Sequence, residues 1–322
     1  MKFIRFKPIY FERIWGGSKL KDLFNRDIGY SVSNIGESWE ITDRPDATSM
    51  ANGGRFDNMS LSQILSQNQE YIMGKKWTQP FPVLVKWIDA SQPLSIQVHP
   101  NSETAKKLKA ESKNENWFIA QADEHSTIIA GFKPSVTSTD KNNLSNGTWL
   151  RKNLNELKTK EGDSIFIKGG CVHAIGKGNL ILEIQENSDT TYRLYDWDRT
   201  DSLGNPRKLH IKESTECIDF STSVSIIETI STPQKQGTIT LDDTDLLCNF
   251  DSFEIRHIRL SKNATIELNI GEAKIISVVQ GSLSDNNSNI ISLSENILLP
   301  AAEKLKLTAL NNSEILITKI KI

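Results

Sequence analysis

Short β-branched and aromatic segments, each of four to eight residues, recur between residues 82 and 197: PVLVKWI at 82–88, LSIQVH at 94–99, NWFIAQA at 116–122, SIFI at 164–167, NLILEIQE at 179–186 and TYRLYDW at 191–197. Each is bounded by glycine, proline, asparagine or aspartate. Such spacing predicts an antiparallel sandwich or barrel, a mostly β protein.

Helices are expected as interruptions. SLSQILSQNQEYIM opens on Ser60 as a cap, and NSETAKKLKA follows Pro100 with Asn101 or Ser102 as cap. TWLRKNLNELK and HIKESTECIDF (210–220) are two further helix candidates. The stretch ETISTPQKQGTIT at roughly 228–240 is polar and turn-rich, and FEIRHIRL, TIELNI, KIISVVQGSL, LKLTAL and SEILITKIKI after it read as strands alone. A chain of 322 residues suits about two domains. We therefore expect residues 1–232 to form one domain with helical segments and 233–322 a smaller all-β domain.

The charge balance, net −2, lacks the basic excess that a phosphate backbone attracts, so nucleic acid is not an expected partner. No stretch approaches the ~20 apolar residues of a membrane span, and MKFIRFKPIYFERIWGG lacks a secretory apolar core. A cytoplasmic location is expected, with no protein partner inferred. Cys171, Cys217 and Cys248 are odd in number and lack a CxxC pair, which predicts reduced, partly buried thiols.

Within LSIQVHP, strand alternation sends Ser95, Gln97 and His99 to one face and Leu94, Ile96 and Val98 to the other. Two potential ligands at i and i+2 thus point the same way. Pro100 ends the strand where the imidazole is presented. A second segment, GDSIFIKGGCVHAIGKG, resembles the second cupin motif, with Gly162, Gly170 and His173 in step. It departs from that motif at Lys168 and Lys177, and Gln97 replaces the first histidine of the usual His-x-His pair.

Those departures lead to one branch. QVHPN, GCVHAIGKG and SDTTYRLYDWDR, together with IWGG at 14–17, GESWEI at 36–41 and LVKWIDA at 84–90, resemble the type I mannose-6-phosphate isomerases of the cupin superfamily over most of residues 8–200. The resemblance implies a cupin or jelly-roll catalytic domain with helical insertions and a cupin-like C-terminal domain. It also implies one Zn2+ per chain on Gln97, His99, Glu115 and His173. Two imidazoles, an amide and one carboxylate suit a borderline cation and leave a local charge near +1, favourable to an anionic sugar phosphate.

The resemblance further assigns Lys113, Glu183 and Arg193 to catalysis, and Ser95 and Arg199 to the substrate phosphate. Lys113 and Glu115 share a side if their segment is extended, as do Asp189, Thr191, Arg193, Tyr195 and Trp197 in the last segment. His125, His210 and His257 are read as surface or core residues, and Trp15, Trp39, Trp87 and Trp117 as core anchors. The implied reaction interconverts mannose 6-phosphate and fructose 6-phosphate through an enediol. A sugar-binding cupin without turnover is the alternative, but it would need loss of a ligand or of Arg193. An iron oxygenase on the same barrel is disfavoured by the fourth candidate ligand, Gln97.

Overall fold

The computed structural model describes residues 2–26, 28, 34–200 and 203–321, and strands dominate it. The chain forms two compact units, one of Met1–Ile9, Trp39–Val85 and Thr229–Ile322, the other of Tyr10–Ser38 and Lys86–Glu228. The first unit draws on N-terminal residues because Ile4–Lys7 completes a C-terminal sheet, with Ile4 opposite Leu298 and Phe6 opposite Ala51.

In that first unit a seven-stranded sheet accompanies a five-stranded one, and their enclosed core includes Ile258, Leu260, Ile266, Leu268, Ile276, Val278, Leu307, Ile315 and Ile317. Helix Leu61–Met73 starts where predicted: Ser60 accepts from the Gln63 amide, and Gln63 reaches back to the Ser60 amide. KIISVVQGSL is two strands, Lys274–Gln280 and Ser282–Asp285, rather than one. Gly281 separates them at φ +77°, with Asn311, Asn312 and Ser313 so close that a Cβ would meet their atoms at 2.5 Å.

The second unit carries most of a seven-stranded sheet, ordered Ile226–Glu228, Asp163–Ile167, Glu115–Ala122, Asn179–Glu186, Val83–Asp89, Ile35–Ile41 and Ile9–Gly17. Its five-stranded sheet runs Tyr192–Tyr195, Ile96–Val98, Val172–Ile175, Thr127–Phe132, Leu154–Lys158. TWLRKNLNELK, read from the sequence as one helix, is helical only over Gly147–Asn153; from Leu154 the backbone extends and pairs with Thr127–Phe132. That pairing satisfies backbone groups that a seven-residue helix leaves open at its end. The ends of the polar 228–240 stretch also join sheets, Ile226–Glu228 beside Asp163–Ile167 and Thr238–Ile239 beside Thr265–Leu268.

Period-two alternation decides what the five-stranded sheet presents on each face. Ile96, Val98, Val172, Ala174 and Leu194 pack on one side with Leu150 and Cys217 of the helices Gly147–Asn153 and Ile211–Cys217. Gln97, His99 and His173 are left for the opposite side. There the apolar floor consists of Trp15, Ile88, Trp117, Ile119, Ile165, Ile175 and Ile181.

The glycine of IWGG has a steric reason. A Cβ on Gly16 would lie 2.4 Å from the Gly36 amide nitrogen and 2.6 Å from the Asn34 carbonyl, both backbone atoms that cannot swing aside. Gly16→Ala is therefore expected to lower unfolding free energy by about 1–3 kcal/mol, the usual cost of overpacking. Urea denaturation at unchanged m-value checks this.

Candidate metal centre and active-site cavity

Three side chains meet at the mouth of this sheet. His99 leaves the end of strand Ile96–Val98, His173 stands opposite Gln97 in Val172–Ile175, and Glu115 opens strand Glu115–Ala122. Ligand atoms of His99, Glu115 and His173 all lie within 4.8 Å of one another, and all three residues are buried.

Backbone carbonyls hold both imidazoles. The Nδ1–H of His99 donates to the Thr190 carbonyl at 2.8 Å, and that of His173 to the Cys171 carbonyl at 2.9 Å. Each Nε2 therefore carries a lone pair facing inward. His99 Nε2 lies 3.2 Å from Glu115 Oε2, and His173 Nε2 lies 3.4 Å from Glu115 Oε1. Burial, reinforced by the Lys113 charge, pushes the His99 pKa down to about 3, and burial also lowers that of His173. Burial alone would raise Glu115, but Lys113 and the two histidines hold it well below the usual carboxylate range. Two neutral imidazoles and an ionised carboxylate thus turn acceptors toward acceptors, an arrangement that a bound cation resolves.

Gln97 is next to these three. Its amide nitrogen is 3.4 Å from His173 Nε2, while its oxygen accepts from Ser95 Oγ at 3.1 Å. The oxygen is the atom that could ligate, and the two ends of an amide are distinguished only by their hydrogen bonds.

A cavity of about 480 Å³ opens over this group, lined by Ser95, Gln97, Lys113, Glu115, Glu183, Asp189, Thr191 and Arg193 among others. Lys113 Nζ stands 2.9 Å from Glu115 Oε2 and 3.1 Å from His99 Nε2, so the shared side expected for Lys113 and Glu115 is present. Glu183 is buried; its Oε1 is 2.9 Å from Lys86 Nζ and 3.8 Å from Lys113, and its Oε2 accepts from Trp117 Nε1 at 2.9 Å. Burial and the nearby Glu115 charge raise the Glu183 pKa against the pull of both lysines. The two carboxylates are thereby pushed in opposite directions, Glu115 toward the ion and Glu183 toward the acid.

Arg193 faces the same space. Its Nε donates to Ser95 Oγ at 3.3 Å and its Nη1 to the Lys208 carbonyl at 2.9 Å. The alternation expected for Asp189 to Trp197 holds only as far as Arg193. The register shifts between Arg193 and Tyr195 where the strand pairs with Ile96–Val98, so Tyr195 and Trp197 join the apolar layer under the helices. A bulge of this kind turns every later side chain to the other face.

Arg199 does not line the cavity. Its Nη1 donates to the Pro93 carbonyl at 2.7 Å and its Nη2 to Asp196 Oδ1 at 2.5 Å. Arg207, which the sequence did not single out, lines the cavity instead.

Lys86 was also missed, although it is the one charge in the apolar run PVLVKWI and is buried. A lone buried lysine requires a partner, and that signal was readable. His210 is more than a surface histidine, since its Nδ1 accepts the Arg193 amide at 3.2 Å. Trp15, Trp39, Trp87 and Trp117 are all buried, as expected of core anchors.

A family model for the phosphomannose isomerase type I catalytic domain matches residues 3–134, a segment that holds Gln97, His99 and Glu115 and ends before His173. Mannose-6-phosphate isomerase ManA of Bacillus subtilis (strain 168) is 36% identical over 280 residues, 86% of this chain and 85% of that protein. A mannose-6-phosphate isomerase of Streptococcus mutans is 36% identical over 64% of this chain and 65% of its own length. The crystal structure of the mannose 6-phosphate isomerase from Bacillus subtilis superposes with a TM-score of 0.85 at 26% identity, covering 99% of this chain and 100% of the other.

Proposed function

Because this chain belongs to the type I mannose-6-phosphate isomerase family, we propose that it interconverts mannose 6-phosphate and fructose 6-phosphate at the His99–Glu115–His173 centre. The observation that carries this reading is the convergence of two buried imidazole lone pairs on an ionised carboxylate, Glu115, which lines a cavity together with Gln97, Lys113, Glu183 and Arg193. The alternative, a sugar-binding module without turnover, would require one of these groups to be missing, and all are present.

We assign the metal to His99, Glu115 and His173, with Gln97 as fourth ligand through its amide oxygen, and the ion to Zn2+. Two imidazole nitrogens with oxygen donors suit that ion, and the absence of a thiolate suits a catalytic rather than a structural site. When bound, such an ion polarises the sugar oxygens that carry developing charge.

The remaining chemistry belongs to the chain. Opening of the sugar ring is followed by proton transfer between carbons 1 and 2. Glu183, its pKa raised in a buried setting beside two lysines, is assigned to that transfer, with Lys113 between it and Glu115 as the second group able to hold a proton. Arg193, a fixed guanidinium beside Ser95, is assigned to the negative charge of the enediolate. The phosphate is assigned to Ser95 and the arginine cluster that contains Arg199. Trp117 positions Glu183 by donating to its second oxygen.

The catalytic groups all fall within Tyr10–Ser38 and Lys86–Glu228, and the all-β region 233–322, which contributes none of them, is assigned a scaffolding role. A cytoplasmic enzyme fits three cysteines that are all free and buried, and no helix among the described residues is long and apolar enough to cross a membrane.

Chelation is the direct test. Dialysis against a chelator is expected to abolish turnover of mannose 6-phosphate, and one equivalent of Zn2+ per chain to restore it, with elemental analysis following the metal. Full turnover by metal-free protein would rule the centre out.

A further inference from the structure

Two guanidinium groups share one carboxylate at the edge of the cavity, and they are not equivalent. Asp196 has a side chain only 5% exposed; it accepts from Arg199 Nη2 at 2.5 Å, Arg207 Nη2 at 2.5 Å and Arg207 Nε at 2.7 Å. Arg199 turns its other nitrogens to the backbone, Nη1 to the Pro93 carbonyl at 2.7 Å and Nε to the Asp196 carbonyl at 3.2 Å. Each nitrogen of Arg199 is thereby directed at a protein acceptor, and the residue does not line the cavity.

Arg207 differs on both counts. Its Nε and Nη2 form a fork on Asp196, its Nη1 has no hydrogen bond to any described residue, and the side chain lines the cavity together with Arg193 and Ser95. The Arg207 charge acts on Arg193 more strongly than that of Arg199. Three guanidinium groups set against one buried carboxylate leave a local surplus of two positive charges. A phosphate monoester near neutrality carries about −1.5 to −2 and offers three acceptor oxygens.

We propose that Arg207 is the residue that contacts the substrate's phosphate, through the Nη1 edge that Asp196 leaves free, and that Arg199 is a positioning residue that fixes Asp196 and hence the Arg207 fork. The proposal rests on the isomerase reading above. Asp196 serves both parts: by accepting two donors of Arg207 it removes the rotational freedom of a long side chain, so that less ordering remains to be done when the phosphate arrives. Arg193, on the strand that leads into Asp196, and Ser95 Oγ, which accepts from Arg193 Nε, complete the cradle.

The experiment compares Arg207→Gln, Arg207→Lys and Arg199→Gln with wild type, measuring kcat and KM for mannose 6-phosphate together with metal content and melting temperature. Arg207→Gln is expected to raise KM by about 10- to 100-fold, the loss of a charge-assisted hydrogen bond, with kcat within about threefold and metal unchanged. Arg207→Lys, which keeps the charge but not the fork, is expected to fall between, and it supplies the test if Arg207→Gln fails to fold. Arg199→Gln should raise KM by a smaller factor. An unchanged KM in both Arg207 variants, or a rise in Arg199→Gln equal to or above that in Arg207→Gln, overturns the assignment. Wild-type protein that fails to turn over mannose 6-phosphate when loaded with metal would instead reject the isomerase reading itself.

Discussion

Replacing His99 or His173 with alanine is expected to remove bound metal and isomerase activity together, with turnover at saturating mannose 6-phosphate falling by about 1000-fold or more. Each imidazole presents its Nε2 inward because Nδ1 is committed to a carbonyl, so alanine deletes one of the donors proposed to hold the metal. Loss of Lewis-acid stabilisation is worth several kcal/mol, and about 4 kcal/mol corresponds to a thousandfold in rate. Elemental analysis of the purified variants, with circular dichroism to confirm folding, makes the comparison. A variant holding a full equivalent of metal at wild-type turnover would show that its imidazole serves only the packing.

Arg193→Ala separates chemistry from metal binding. A guanidinium stays protonated and has no lone pair for a cation, so metal content is expected to stay at the wild-type value. Turnover should fall by about 100- to 1000-fold, the usual cost of removing one preorganised group that stabilises charge formed on the way to the transition state. Its Nε bond to Ser95 and Nη1 bond to the Lys208 carbonyl keep the group in place before substrate arrives. Near wild-type turnover would make Arg193 structural, and lost metal would mean that it supports the ligands.

Much of this was legible in the sequence because it is written in short-range alternation. The i, i+2 spacing of Gln97 and His99, and of Lys113 and Glu115, determines which side chains share a face before any tertiary contact is known. The strand carrying Arg193 shows where that reasoning stops. A single bulge between Arg193 and Tyr195 sends Tyr195 and Trp197 into the apolar layer, and nothing in TYRLYDW announces it. Arg207 was invisible for a different reason. It follows the turn-rich stretch TDSLGNP, which has no period to read, and only tertiary packing decides which of two arginines Asp196 directs toward the cavity. The helix predicted through Leu154 failed in a third way: helix-forming residues yielded to pairing with Thr127–Phe132, a contact that local propensity does not contain.

The two carbonyls that orient His99 and His173 have an evolutionary consequence. Where a carboxylate side chain holds an imidazole, one point mutation deletes the acceptor. Here the acceptors are the peptide oxygens of Thr190 and Cys171, and all twenty amino acids supply an identical oxygen at those positions. The tautomer of either ring is therefore indifferent to which side chain stands at 171 or 190, and at 171 it is packing in the apolar floor, where Cys171 is buried, that limits substitution. The orientation of the two rings depends on no side-chain acceptor, and its vulnerability moves to whatever bends the main chain, such as the tight turn at Gly170, whose φ of +94° few other residues adopt.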